Sequence, residues 1–137
     1  MTTEDDIRYI LDNTRTAAVV GLSPKPHRDS YIVARVLQGH GWRVIPVNPA
    51  ALGTEILGEK VYATLADAAK EHRIDLVDVF RNSEDAAAVV DEAIAIGAPA
   101  VWLQLGVVND TACTKARAAG LRVVQDRCTK IEILRRS

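Results

Sequence analysis

Two short apolar runs, and the polar stretch between them, hold the residues best suited to chemistry. The first run, residues 17–21, breaks at Gly21 and passes through Leu22-Ser23-Pro24-Lys25-Pro26-His27-Arg28-Asp29-Ser30 into a helical pattern. The second, residues 42–47, ends in Asn48-Pro49. Gly21 has no Cβ, so the backbone there can take a positive φ or meet a ligand closely. Ser23 brings a hydroxyl, Lys25 and Arg28 bring positive charge, and Asp29 or Ser30 is placed to cap the following helix. Unsatisfied N–H groups at a helix start favour a phosphate, and an arginine can grip one through two parallel hydrogen bonds. This is the chemistry of holding a phosphorylated nucleotide. Taken alone, the same loop reads equally well as a solvated strand-to-helix connection, because one glycine and two cations are common.

The elements that must position these residues alternate along the chain. Thr3-Glu4-Asp5-Asp6 reads as a capping box, and Ile7, Ile10 and Leu11 repeat at helical spacing, which predicts a helix over 3–13. Strands are predicted over 17–21, 42–47, 75–80, 100–105 and 121–124. After the first loop, Ile32, Val33, Val36 and Leu37 line one face of a helix that Gly39 and Gly41 stop. Residues 50–62 read as loop, and 65–70 as one or two helical turns. Ser83 is placed to cap a helix whose core face carries Ala86, Val89, Val90, Ala93 and Ile94. Asn109 opens another, with Ala112, Cys113 and Ala116 inward and Gly120 at its end. Beyond residue 124 no element is assigned.

Regular alternation predicts an α/β fold: one Rossmann-like, doubly wound domain spanning residues 1–137. Its five-stranded, mainly parallel sheet would carry helices on both faces and run in the order 3-2-1-4-5. In such sheets ligands sit at the carboxyl ends of the strands. The corners there are Gly21-Leu22-Ser23, Val47-Asn48-Pro49, Phe80-Arg81-Asn82 and Gln104-Leu105-Gly106. Together they offer polar donors, a strong cation and an aromatic ring to one elongated, phosphorylated molecule.

Several classes of function are disfavoured. The formal net charge is −1, so the overall balance calls for neither nucleic acid nor an acidic membrane surface. No apolar window approaches the length of a membrane span, and the first residues are acidic where a secretory signal would be basic. Two cysteines with no C-x-x-C spacing fit a reduced, cytoplasmic setting. The G-x-G-x-x-G fingerprint is missing, and no acid occurs between Ser30 and Thr54 where a dinucleotide site needs one for the ribose. No P-loop pattern is present. His27, His40 and His72 lack metal spacing, and Trp42 and Trp102 read as packing residues. Asp75 and Asp78 bracket a strand without a further acid for paired-carboxylate work, and Ser23 has no histidine partner. Cys113 sits on an apolar helix face and reads as core. Cys128 lies between Arg127 and Lys130, cations of the kind that activate a thiol.

In order and spacing these motifs resemble the small CoA-binding Rossmann-fold proteins, which look like the CoA-binding domain of the succinyl-CoA synthetase α subunit standing alone. The marks are Val20-Gly21-Leu22-Ser23 with Arg28 and Ser30, then Pro46-Val47-Asn48-Pro49 and Asp75-Leu76-Val77-Asp78-Val79-Phe80-Arg81. They continue with residues 97–106, from Gly97-Ala98-Pro99 to Gln104-Leu105-Gly106, and with Asp126-Arg127-Cys128. The resemblance implies coenzyme A, or an acyl-CoA, laid over the ends of the first three strands. The loop from Gly21 through Leu22, Ser23, Lys25 and Arg28 to Ser30 would hold phosphates. Asn48-Pro49 and Phe80-Arg81 would flank the adenosine end, and the pantetheine arm would run towards Gln104. Where the synthetase has a lysine after the second strand, this chain has Ala50-Ala51, so Lys25, Arg28 or Arg81 must supply the charge. The leading expectation is an accessory, non-enzymatic binder. The alternatives are a small enzyme or redox sensor acting on the CoA thiol or disulfide through Cys128, and an NAD(P)-binding module. Whether the chain pairs with itself or with an acyl-CoA enzyme stays open.

Overall fold

The runs that lack alternation are those covered on both faces. In a computed structural model, which describes residues 2–136, the long strands are β1 (Thr16–Val20), β2 (Arg43–Val47), β5 (Leu76–Val79), β6 (Ala100–Leu103) and β7 (Arg122–Val124). All are parallel, in the spatial order β2-β1-β5-β6-β7. A parallel sheet needs helical crossovers, and these bury both of its surfaces under hydrocarbon. Ala18, Val20, Ile45, Val77, Val101 and Val123 face a layer made by α3 (Leu65–Glu71), α4 (Ala86–Ala95) and α5 (Asp110–Ala118). Ala17, Val19, Val44, Leu76, Trp102 and Val124 face the layer of α1 (Thr3–Asn13), α2 (Asp29–Gly39) and α6 (Thr129–Arg135).

This is the doubly wound α/β architecture read from the sequence, but the strand order is not 3-2-1-4-5. Counted along the chain, the five long strands stand 2-1-3-4-5. The position outside β2 belongs to Tyr62, which pairs in parallel with Val47 as a single-residue bridge. Its N–H donates to the Pro46 carbonyl at 3.0 Å, and its carbonyl accepts from Asn48 N–H at 2.9 Å. With Tyr62 counted as a strand, the third long strand becomes the fourth and falls beside β1. The stretch assigned to loop also holds a small antiparallel pair, β3 (Glu55–Ile56) and β4 (Glu59–Lys60).

Helix starts depart from the expected positions in informative ways. The capping box of α1 begins at Thr2, not Thr3: its hydroxyl accepts from Asp5 N–H while the Asp5 carboxylate accepts from Thr2 N–H, each at 3.1 Å. Ser83 does not cap α4, which follows Asp85; its hydroxyl instead accepts from Val108 N–H at 3.0 Å. Asn109 does cap α5, accepting from Ala112 N–H. At α2 neither Asp29 nor Ser30 caps. Arg28 holds the cap position without a side-chain hydrogen bond, and the inward face is Ser30, Val33, Ala34 and Leu37. Ile32, expected inward, is exposed. No element is predicted over the stretch that forms α6, whose seven residues display little apolar period.

Candidate functional site

A cleft of about 720 Å³ opens at the carboxyl ends of β1, β5 and β6, between the first turns of α2 and α6. Gly21 sets its near corner. Its φ is +89°, and a Cβ built there would lie 2.2 Å from the Phe80 carbonyl oxygen. The turn after β1 therefore rests directly on the turn after β5, a contact that only a residue without a side chain permits.

The β1–α2 loop is shaped by its own bonds. Ser23 N–H donates to the Ser30 hydroxyl at 3.0 Å, Lys25 N–H to the Ser23 hydroxyl at 3.1 Å, and Arg28 N–H to the Lys25 carbonyl at 3.0 Å. Lys25 and Arg28 are consequently held at the cleft, where Arg81 and Lys130 join them and Asp29 is the acid sharing the lining. Among the described residues no ion pair engages any of these four cations. The first turn of α2 adds backbone N–H groups that no cap side chain meets. Unpaired cations around open amides make a site for an anion.

The floor is polar and closed. Side chains two apart on a strand share a face, so Asp78 on β5 follows Leu76 towards the α6 layer, and Gln104 follows Trp102 on the neighbouring strand. Gln104 Nε2 donates to Asp78 Oδ1 at 2.5 Å and to Thr129 Oγ1 at 2.9 Å, and Gln104 Oε1 accepts from Thr129 N–H at 3.4 Å. Thr129 Oγ1 donates to Asp78 Oδ2 at 3.4 Å. Asp78 is fully buried with no cation beside it. Burial pushes its carboxyl up to about 7, against the pull of hydrogen bonds from Gln104, Thr129 and the Val79 backbone. This triangle fastens the start of α6 to the sheet, as does the 2.9 Å bond from Trp102 Nε1 to the Arg127 carbonyl.

Eight residues read as binding positions come together here: Gly21, Ser23, Lys25, Arg28, Ser30, Phe80, Arg81 and Gln104 all line the cleft. Three stand elsewhere. Leu22 is wholly buried beneath the loop. Asn48 ties two corners together, its Nδ2 donating to the Leu22 carbonyl and its Oδ1 accepting from Ala50 N–H, each at 3.0 Å. Pro49 begins a short 3-10 turn (Pro49–Ala51) outside the lining and is exposed. Ser30 reaches the cleft as a hydrogen-bond partner of the loop rather than as a helix cap. Asp78 lies inside a strand rather than at its border, while Asp75 accepts from Arg15 and Thr16 N–H groups at the opposite end of the sheet. Sequence reasoning missed Ile32, Val107, Lys130 and Ile131. A signal for the last two existed in Thr129-Lys130-Ile131-Glu132, whose Thr-x-x-Glu spacing marks a helix start.

Residues 15–133 match the CoA binding domain family. The chain is 38% identical over 126 residues to the uncharacterized protein YneT of Bacillus subtilis strain 168, covering 92% of this chain and 90% of that one. It superposes on a hypothetical protein from Pyrococcus horikoshii OT3 with a TM-score of 0.89 at 41% identity, covering 98% of this chain and 92% of the other. A Thermus thermophilus protein, cell-free ID.343, gives a TM-score of 0.88 at 36% identity, with 98% of each chain covered. The dinucleotide-forming acetyl-coenzyme A synthetase 1 of Ca. Korarchaeum cryptofilum shares the fold alone: TM-score 0.72 at 23% identity, covering 85% of this chain and 27% of that one. With the family's match running through every element from β1 to α6, and the same sheet in chains more than a third identical, this protein belongs to the CoA binding domain family.

Proposed function

We propose that the cleft binds coenzyme A, with the β1–α2 loop at its phosphates, and that the protein acts as a binder without chemistry of its own. The observation that carries this is the group of four cations without ion-pair partners, Lys25, Arg28, Arg81 and Lys130, beside an uncapped helix start in a member of this family. Coenzyme A carries about four negative charges near neutral pH, a number these groups can offset without making the whole chain basic. The adenosine end would extend towards Asn48-Pro49 and the pantetheine arm over Gln104. Because Gln104 is already committed to Asp78 and Thr129, it serves as floor rather than as a donor to ligand amides.

Native mass spectrometry of freshly purified protein should show a co-purified mass of coenzyme A or a thioester of it. Titration calorimetry should show coenzyme A binding far more tightly than NADPH, and the reverse order would return the NAD(P) reading. Arg28→Ala is expected to weaken coenzyme A by about tenfold or more, the worth of a charge-assisted hydrogen bond. Affinity should also fall as salt is raised from low to high concentration. Unchanged affinity in both experiments would mean that these side chains do not hold the phosphates.

A second reading has one observation in its favour: Cys128, half-buried at the cap of α6, lines the same cleft. Its thiolate could attack the disulfide of oxidised coenzyme A, forming a protein–CoA mixed disulfide and releasing one CoA thiolate. Mass spectrometry after exposure to oxidised coenzyme A should then give an adduct on Cys128 and none on Cys113. Cys113 is fully buried, and burial pushes its thiol up. Absence of the Cys128 adduct would end this reading.

A further inference from the structure

We infer that the cleft takes coenzyme A as an acyl thioester, with an aliphatic acyl group lying against Leu105, Val107, Ile131 and Ile32. This rests on the coenzyme A reading above and specifies what the thiol carries.

The cleft differs in chemistry along its length. Lys25 and Arg28 lie after β1, and Arg81 after β5; Leu105 and Val107 lie after β6, two strand spacings or about 10 Å from β1. Charge complementarity therefore places the phosphates at the β1 and β5 corners and turns the other end of an elongated ligand towards β6. There the α6 start contributes Lys130 and Cys128, and the rest of the surface is largely hydrocarbon. Leu105 is 66% exposed, Ile131 44% and Ile32 40%, three large apolar side chains around one opening.

Lys130 apart, the polar groups of the β6 corner are largely engaged. Both Gln104 Nε2 hydrogens and its Oε1 serve the buried triangle. Gly106 N–H donates to Asp126 Oδ1 at 2.8 Å, Val107 N–H to the Gln104 carbonyl at 2.9 Å, and Val108 N–H to the Ser83 hydroxyl at 3.0 Å. A free thiol or a further amide would gain little from such a surface. A saturated chain asks for no hydrogen bond and would cover exposed leucine and isoleucine.

The test is calorimetric titration of the intact protein with coenzyme A and its acetyl, butyryl and hexanoyl thioesters. Affinity is expected to rise about twofold per added methylene, half the free energy that full burial gives, and so roughly sixteenfold over the added methylenes from acetyl to hexanoyl. Leu105→Ser combined with Ile131→Ser should bring the hexanoyl-to-acetyl ratio close to one. Both positions are exposed, so the melting temperature is expected to stay near that of the parent. A flat series, or tightest binding by the free thiol, would overturn the acyl inference while leaving coenzyme A as ligand. A ratio that survives the double substitution would overturn the assignment of the acyl group to this end. If no member of the series binds, the coenzyme A reading falls and the inference with it. The series on the parent protein decides the question even if the double variant does not fold.

Discussion

Gly21→Ala is expected to destabilise the protein by about 2–5 kcal/mol, with a fall in melting temperature on the order of 10 °C. Two separate costs meet at this position. An L-residue at φ +89° is strained wherever it stands, and here its Cβ would sit 2.2 Å from a backbone oxygen, that of Phe80. Backbone cannot step aside as a flexible side chain can. The β1 and β5 corners would be pushed apart, and Arg81, next after Phe80, would move with them. Gly53 separates the two costs: its φ is +88°, and nothing lies within 4 Å of a Cβ placed there. Gly53→Ala should therefore cost only the conformational part, about 1 kcal/mol. Thermal unfolding of the two variants side by side is the measurement. Equal losses would mean that the turn has room for a methyl group and that close packing of the corners is not what requires glycine.

The second large effect belongs to Asp78 and appears as a pH dependence. In the unfolded chain its carboxyl titrates near 3.8; in the folded protein burial holds it protonated up to about 7. The folded state thus binds more protons between these values, and stability must decline as pH rises through that window. The stabilisation is whole below about pH 4, diminishes as pH climbs to about 7, and is gone above. Its size is on the order of a few kcal/mol, from the separation of the two values. Asp78→Asn presents an amide where the neutral acid would stand and keeps a partner for both Gln104 and Thr129. Urea unfolding of both proteins between about pH 4.5 and 8 should give stability curves that differ in slope, steep for the parent and flatter for the Asp78→Asn variant. Taking the difference removes the surface carboxylates. Glu4 is lowered by its hydrogen bond with Arg136, and Asp5 by the Thr2 backbone bond; both act in the opposite direction, at more acid pH. Parallel curves would show that the carboxyl is ionised throughout.

The sequence was legible where a feature repeats locally. Short, mostly apolar runs revealed the five long strands, and the spacing of Val89, Val90 and Ala93 revealed α4. The polar loop after Gly21 announced the cleft because strand, glycine, cations and helix follow one another directly. What escaped depends on partners far away along the chain. Tyr62 becomes a strand only because Val47 is beside it, and missing that one residue was enough to misorder the sheet. Asp78 looked like a strand border, since the residues that satisfy it lie 26 and 51 positions away. Ile32 looked like core by period alone. In the structure it is exposed and lines the opening together with Ile131 of α6, a stretch over which no helix is predicted.

The Tyr62 bridge also governs how this molecule can meet a copy of itself. A pleated sheet invites further chains wherever a long row of backbone donors and acceptors is left bare. Here Tyr62 covers the Val47 end of the β2 rim, where Pro46 also lacks an N–H, and the opposite rim, β7, is only three residues long. Neither margin offers a template for ribbon-to-ribbon growth. The protein is therefore expected to resist fibrous aggregation through its sheet.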